Sequence, residues 1–225
     1  MRPFFEAIAL YHRYSAPGVE NIPHQGRCIL AVSHSFATYD AFLLGLAIKK
    51  ATGRLPVGLG DNLLFNLPGV STLAAVANLY RANPKNAKRL LEEECLVGVA
   101  PGGMREALRS KDQKQQVCWT KRKGFVRLAI QTQSPVVLAA CPAADDLYDV
   151  YEAYLTKWAY RQYKVPLPVF SGWGPSLLPK PVKLTHHVSR LFYPPPLSTE
   201  RPLGAVVDEF HGQLLETMQC MMQQV

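Results

Sequence analysis

Two short apolar runs, each ending abruptly in chemically capable residues, constrain the fold of this chain more than any other feature. The first run is Cys28–Val32, followed at once by Ser33 and His34. The second is 96–100, followed by a Pro-Gly-Gly turn at 101–103. Short apolar runs bounded by turn residues predict strands covered on both faces, as in a parallel sheet. Ligands bind beyond the carboxyl ends of such strands, so both segments point to one site.

Further segments alternate along the chain between helical and apolar patterns. Helices are predicted over 2–14, 41–50, 84–94, 121–133 and 201–222. Additional strands are predicted over 55–59, 76–80, 135–141 and 182–192. The alternation predicts an α/β fold with a mostly parallel sheet flanked by helices and right-handed crossovers.

Composition narrows the class of protein. The chain has 225 residues, of which 48% are hydrophobic, enough for one domain with a full core. Its net charge of +8 favours an anionic partner: nucleic acid, an anionic membrane surface, or a phosphorylated or CoA-linked substrate. Because the basic residues are dispersed and form no known binding motif, we expect no nucleic acid partner. The five scattered cysteines are typical of small apolar residues in a reducing compartment.

The first residues of the chain are amphipathic. Four apolar side chains fall on one predicted helix face: Phe4, Phe5, Ile8 and Tyr11. This helix either caps the core or acts as an interfacial anchor. We expect an N-terminal amphipathic segment at 1–17 and the main domain at 18–225. Since no secretory signal and no run of roughly 20 apolar residues is found, any membrane attachment is expected at the interface.

His34 is the first candidate for chemistry. It follows a predicted strand, and Asp40, six residues later, can fold back from the next helix. A carboxylate that holds one imidazole nitrogen makes the other a better general base. Such a pair removes the proton from a weakly acidic hydroxyl as it attacks a carbonyl. A purely structural pair is the alternative, but the position at a strand end favours catalysis.

The turn at 101–103 is the second candidate. Gly102 and Gly103 allow the backbone to approach a ligand closely. Arg105 supplies a planar fork for phosphate or carboxylate, and Glu106 follows it at the start of a predicted helix. The alternative is a plain helix N-terminus.

Other basic residues have two interpretations each. Arg81 follows a predicted strand and is either solvated or in contact with a substrate phosphate. The cluster of Lys121, Arg122 and Lys123 is either a solvated face or a landing site for CoA or lipid headgroups.

No metal site is expected. His186 and His187 are adjacent on a predicted strand and therefore face opposite ways. The acidic residues at 145, 146 and 149 are more typical of a turn than of a metal site.

Together these blocks resemble the phospholipid/glycerol acyltransferase superfamily. The most similar branch is that of transmembrane protein 68 and type 2 diacylglycerol acyltransferase, which carries a Pro-Gly-Gly-x-Arg-Glu block, here 101–106. The resemblance continues through 123–125, 135–138, 170–174 and 181–184 and covers most of 18–220.

The resemblance implies a glycerol-3-phosphate acyltransferase-like αβ fold and specific roles. His34 is the implied general base and Asp40 orients it and balances its charge. An acceptor hydroxyl attacks the thioester of acyl-CoA or acyl carrier protein, with no acyl-enzyme, metal or cofactor. The implied substrate-binding residues are Arg81, Gly102, Gly103, Arg105 and Glu106. The implied partners are the acyl donor, a membrane lipid acceptor and an anionic membrane surface, which the aromatic-rich stretch 148–170 also fits. A cytoplasmic protein peripherally associated with the membrane is therefore expected.

Some positions depart from the family pattern. Asp40 lies six residues after His34 instead of the more common five, and Ser35 replaces the glycine usual in the branch. Gly102 stands where bacterial lysophosphatidate acyltransferases have glutamate, so a neutral glyceride or other alcohol is also a plausible acceptor.

Two other functions compete with acyl transfer as interpretations of the sequence. A non-catalytic lipid-binding protein at the membrane surface would use the same scaffold without the His-Asp geometry. A Ser-His-Asp esterase is disfavoured because the chain lacks a Gly-x-Ser-x-Gly elbow.

Overall fold

The computed structural model describes residues 2–36, 40–61, 65, 78–151, 169–174, 176–197 and 201–224. Parts of two sequence-based predictions lie outside these residues. They are residues 76–77 of the strand predicted over 76–80, and residues 152–168 of the aromatic-rich stretch 148–170.

A six-stranded sheet forms the centre of the molecule. Its strands are β1 (Cys28–Val32), β2 (Val57–Gly60), β3 (Leu79–Arg81), β4 (Leu96–Val99), β5 (Val136–Ala140) and β8 (His187–Val188). Their order is β3-β2-β4-β1-β5-β8, with every neighbouring pair parallel except β5 and β8. A separate antiparallel pair consists of β6 (Asp149–Tyr151) and β7 (Val169–Ser171).

Helices cover both faces of the large sheet. They are α1 (Arg2–Tyr11), α2 (Asp40–Thr52), α3 (Pro84–Glu92), α4 (Met104–Ala107), α5 (Gly124–Thr132) and α6 (Leu203–Met222). Apolar side chains of α3, α5 and α6 form one core layer, while α2 packs on the opposite face. The predicted α/β fold with a mostly parallel sheet is therefore confirmed. No helix in the described ranges is long and apolar enough to span a bilayer.

Burial on both faces explains the unbroken apolar character of β1. Ile29 and Ala31 pack toward the layer of α3, α5 and α6, whereas Cys28 and Leu30 pack toward α2. Because successive side chains of a strand point to opposite faces, both sets must be apolar when both faces are covered. The five residues of β5 are likewise all buried.

The strand predicted over 182–192 is wrong in its extent. Only His187–Val188 forms a regular strand, and Leu138 N–H donates to the Ser189 hydroxyl instead of to a backbone carbonyl. That side-chain bond interrupts the ladder with β5. Upstream of β8, the N–H groups of Leu184 and His186 donate to carbonyls of residues 12 and 15. The segment is therefore held mainly by the chain that follows α1.

Candidate active site

The strand register brings the two sequence motifs to the same edge of the sheet. Ala31 of β1 pairs with Val99 of β4, so His34 and the turn at 101–103 both follow neighbouring parallel strands. Val32 pairs with Ala139 of β5, which adds the segment after β5 to the same edge. The juxtaposition expected from the sequence is present.

Glu106 ties the two motifs together. Its Oε2 accepts a hydrogen bond from His34 N–H at 3.1 Å, and its Oε1 accepts one from Cys118 N–H at 2.7 Å. The side chain is buried. Burial raises the pKa of this carboxyl, and the two N–H donors partly offset that effect. These contacts hold the backbone of the site in place, whereas the substrate-binding role foreseen for Glu106 stays a prediction.

The glycines of the turn leave no room for side chains. A β-carbon on Gly102 would lie 1.8 Å from Cδ of Glu106. Gly103 has a φ of +51°, and a β-carbon there would lie 2.5 Å from a guanidinium nitrogen of Arg122. That guanidinium also donates to the carbonyls of Pro101 and Gly102, so the turn is held from both sides.

The hydrogen bonding of His34 fixes its tautomer. Nδ1 lies 3.0 Å from the carbonyl oxygen of Ser35. Because a carbonyl can only accept, Nδ1 carries the proton of the neutral ring, and Nε2 keeps the basic lone pair. Burial lowers the pKa of His34; the carbonyl of Ser35 and the charge of Asp40 oppose this, while Arg109 and Arg122 add to it. The half-buried imidazole is therefore poised as a neutral base.

Asp40 lies behind His34 as the first residue of α2, and its side chain is buried. Oδ1 accepts from the Ser35 hydroxyl at 2.7 Å, and Oδ2 lies 3.5 Å from Nε2 of His186. Burial acts to raise the pKa of this carboxyl, but His186 and Ser35 outweigh it and hold the pKa below its usual value. Asp40 is thus kept ionised, at a helix N-terminus that also favours negative charge.

The sequence did not reveal the partners of Asp40. His186 is buried, and its Nδ1 lies 3.0 Å from the hydroxyl of Tyr14. His187 is partly exposed, so the predicted alternation of the two histidines is correct. Ser35 was noted as a departure from the family, but its bond to Asp40 was not predicted.

One buried group has metal-ligand composition. Ligand atoms of Asp40, Cys141 and His186 all lie within 4.8 Å of one another. Burial and the charge of Asp40 raise the pKa of the Cys141 thiol. Within this group Asp40 and His186 are paired with each other, and Cys141 lies beside them.

A buried ion pair supports the site from the other side. Arg109 donates through Nη2 to the carbonyl of His34 at 3.2 Å and to Oδ1 of Asp145 at 2.7 Å. Its Nη1 donates to the carbonyl of Gln116. Asp145 lies in the short 3-10 helix Pro142–Asp146. It also accepts a hydrogen bond from Gln115 N–H. The turn at this position was predicted, but the role of Arg109 was not.

The two arginines predicted to bind a substrate phosphate, Arg105 and Arg81, lie on different elements of the structure. Arg105 is exposed on α4. Arg81 ends β3 and stacks its guanidinium carbon 5.0 Å above the centre of the Phe65 ring. Since β2 and β4 separate β3 from β1, Arg81 lies roughly 14 Å from the β1 end by strand spacing. Their roles in substrate binding stay predictions.

The three basic residues at 121–123 have different surroundings. Arg122 clamps the glycine turn, and Lys123 pairs with Asp208 of α6 at 2.8 Å. Lys121 remains exposed.

Aromatic side chains form an apolar wall beside the site. The ring centre of Phe36 lies 5.4 Å from that of Tyr148 and 4.5 Å from that of Phe170. A narrow cavity between this wall and Arg109 is lined in part by Phe36, Tyr148 and Glu106.

Comparison with known proteins identifies the chain's relatives. The family model described as Acyltransferase matches residues 14–141, more than half of the chain. Over 195 residues, the chain is 27% identical to proteins of Bos taurus and Homo sapiens named "DGAT1/2-independent enzyme synthesizing storage lipids". These matches cover 85% of this chain and 56% and 58% of the relatives. The chain thus spans a little over half the length of these curated relatives.

A solved structure shares the fold. The crystal structure of the 1-acyl-sn-glycerophosphate (LPA) acyltransferase PlsC from Thermotoga maritima aligns with a TM-score of 0.56 at 18% identity. The alignment covers 96% of this chain and 79% of that one. The superfamily and branch predicted from the sequence are confirmed by these comparisons.

Proposed function

This chain belongs to the Acyltransferase family, and from that membership we propose that it transfers a fatty acyl group from acyl-CoA or acyl carrier protein to a hydroxyl of a glycerolipid or lysophospholipid. His34 is the general base and Asp40 stabilises its charged form. The observation that carries the proposal is the contact of His34 Nδ1 with the Ser35 carbonyl. It makes Nε2 the basic nitrogen of a residue that follows β1, the neighbour of the strand that leads into the glycine turn.

The reaction is one acyl transfer without a covalent enzyme intermediate. As the acceptor oxygen attacks the thioester carbonyl, its proton passes to Nε2 of His34 and a C–O bond forms. The tetrahedral intermediate collapses with cleavage of the C–S bond, and the departing thiolate takes the proton from the imidazolium. The ester and the free thiol leave, and His34 returns to its neutral form.

The positive charge on His34 exists only between these two proton transfers. The Asp40 carboxylate, buried and kept ionised by its hydrogen bonds, stabilises that charge electrostatically. Ser35 links the two residues, because its hydroxyl binds Asp40 and its carbonyl binds Nδ1 of His34.

Substrate recognition is proposed for residues around this pair and, farther along the same edge of the sheet, for Arg81. Arg105 and Arg81 bind phosphate groups of the donor or the acceptor, and Gly102 and Gly103 shape the pocket wall. The aromatic wall containing Phe36 lies along the acyl chain. Without a carboxylate from position 102, the pocket also accepts neutral glycerides.

We propose peripheral attachment to a membrane through an exposed aromatic patch, defined as Phe4, Phe5 and Phe42. Phe4 is 65% exposed and Phe42 is 43% exposed. Phe5 bridges them, with ring centres 5.5 Å from Phe4 and 6.1 Å from Phe42. Phe42 lies two residues beyond Asp40, so the patch would bring the membrane close to the reacting groups.

The test is acyl transfer by the purified protein from labelled acyl-CoA and acyl carrier protein to lysolipids, monoacylglycerol, diacylglycerol and fatty alcohols, with products identified by mass. We expect an ester product, its loss by at least about 100-fold in His34→Ala, and normal rates in the matched control His187→Ala. The opposite result is a folded wild-type protein that binds vesicles but forms no ester with any combination of donor and acceptor. If His34→Ala then binds vesicles equally well, the chain is a non-catalytic lipid-binding protein.

A further inference from the structure

A buried chain of side chains continues from Asp40 away from His34. Asp40 Oδ2 lies 3.5 Å from His186 Nε2, and His186 Nδ1 lies 3.0 Å from the Tyr14 hydroxyl. Both Asp40 and His186 are 1% exposed. Buried polar side chains at this depth must satisfy one another, because water does not reach them.

The direction of these hydrogen bonds follows from the ionised carboxylate. An anionic Oδ2 can only accept, so His186 presents an Nε2–H to Asp40. In a neutral ring Nδ1 is then the acceptor, and the Tyr14 hydroxyl donates to it. Burial raises the pKa of Tyr14, which keeps that hydroxyl protonated. The chain therefore runs Tyr14 to His186 to Asp40, with each donor directed toward the carboxylate.

Three separate parts of the sequence build this chain. Tyr14 follows α1, Asp40 begins α2, and His186 precedes β8. Backbone hydrogen bonds join the segment that follows Tyr14 to the segment around His186. Ser15 N–H donates to the carbonyl of Leu184, and His186 N–H donates to the carbonyl of Ser15. The position of His186 is thus set by its own backbone, independently of Asp40.

We propose that His186, oriented by Tyr14, is a positioning residue that holds the Asp40 carboxylate in the orientation in which it acts on His34. The proposal rests on the proposed function, in which Asp40 stabilises the protonated form of His34. Other groups also act on Asp40 from the packed elements around it: His34, Ser35, Cys141, His12 and Tyr14.

Three variants test the proposal by kinetics. His186→Leu removes the donor to Asp40, His186→Gln keeps an N–H near the position of Nε2, and Tyr14→Phe removes only the hydroxyl. We expect His186→Leu to lower kcat roughly 100-fold with little change in KM. His186→Gln should recover most of the lost kcat. The kcat of Tyr14→Phe should lie between those of His186→Leu and His186→Gln. His187→Gln is the matched control.

A spectroscopic readout is independent of activity. With 13C-labelled aspartate carboxyls, the Asp40 resonance is the one missing from Asp40→Asn. We expect it to titrate at higher pH in folded His186→Leu than in wild type, with His186→Gln close to wild type. If this shift occurs but the wild type transfers no acyl group, the proposed function fails and the hydrogen-bond chain stands. If activity depends on His34 but folded His186→Leu changes neither kcat nor the titration, or His186→Gln rescues nothing, the proposal is overturned.

Discussion

The side chain of Glu106 occupies the space into which a side chain at position 102 would point. An added β-carbon on Gly102 would meet Cδ, Cγ and Oε2 of Glu106 at 1.8, 2.2 and 2.3 Å. The same carboxylate receives N–H groups from the two segments that flank the site. The glycine and the glutamate of the motif are therefore one packing unit, and neither can change alone.

Gly102→Ala should destabilise the protein by about 1–3 kcal/mol, because Glu106 must leave its position to relieve the overlap. Activity should fall as well, since the displaced carboxylate releases the backbone of His34. Urea unfolding and acyl-transfer rates measure the two effects. Gly124→Ala is the control: its β-carbon meets nothing within 4 Å, so its stability should equal or slightly exceed that of wild type. Equal stabilities for both variants would contradict the packing argument.

The pH dependence of activity should respond to Arg122. Only neutral His34 accepts a proton, and its pKa is lowered from the ordinary 6.5 by burial, with Arg109 and Arg122 adding to the effect. The acid limb of the rate profile should therefore lie below pH 6.5. Removing a positive charge favours the imidazolium, so Arg122→Gln should move this limb to higher pH. Arg127→Gln, which removes an exposed charge on α5, should leave it in place. An unchanged limb in Arg122→Gln would refute the assignment.

The buried pair of Arg109 and Asp145 should be sensitive to loss of one partner. Arg109→Met leaves a buried carboxylate without its cation and should cost about 3–5 kcal/mol of unfolding free energy. The double variant Arg109→Met/Asp145→Asn should recover part of that cost, because the charge is gone. Lys88→Met breaks an exposed pair with Glu92 and should cost less than about 1 kcal/mol. Chemical denaturation of the wild type, these three variants and the single variant Asp145→Asn provides the comparison, and additive losses in the double variant would argue against the pairing.

Membrane attachment should depend on the aromatic patch. Phe4→Ser and Phe42→Ser should each weaken binding to anionic phospholipid vesicles several-fold, because each removes apolar area from the interface. The control is Tyr193→Ser. Tyr193 is 72% exposed, more than either phenylalanine, but it follows Phe192, which pairs with the first residue of β5 at the opposite edge of the sheet. Vesicle co-sedimentation measures all three. Equal weakening by Tyr193→Ser would show that the patch has no special role.

The sequence was sufficient for the framework of the site. Strands covered on both faces can be predicted because their residues are almost all apolar. The motifs at their ends can be recognised because each is contiguous in the sequence. This is why the positions of His34 and the turn at 101–103 could be predicted. The helix predicted over 84–94 is observed at Pro84–Glu92, where Pro84 is in the first turn and the Asn83 side chain caps Asn86 N–H.

The supporting residues could not be foreseen for a physical reason. His186 meets Asp40 only because the segment before β8 aligns with the chain after α1, and no local pattern specifies that alignment. Arg109 follows the recognised motif closely, yet its partner Asp145 comes from a distant turn. For the same reason the extent of the last strand was wrong, since a single serine hydroxyl interrupts its ladder.

Residues 184–188 return alongside residues 12–17, so the fold cannot be cut at the end of the stretch that the family model matches. The stretch that the family model matches ends at Cys141, whereas His186, whose side chain is paired with Asp40, lies 45 residues later in the sequence. A fragment trimmed to the matched stretch would expose one side of β5 and leave a carboxylate buried beside empty space. A fragment able to carry out the proposed reaction must therefore include residues 184–188 as well as the stretch that the family model matches.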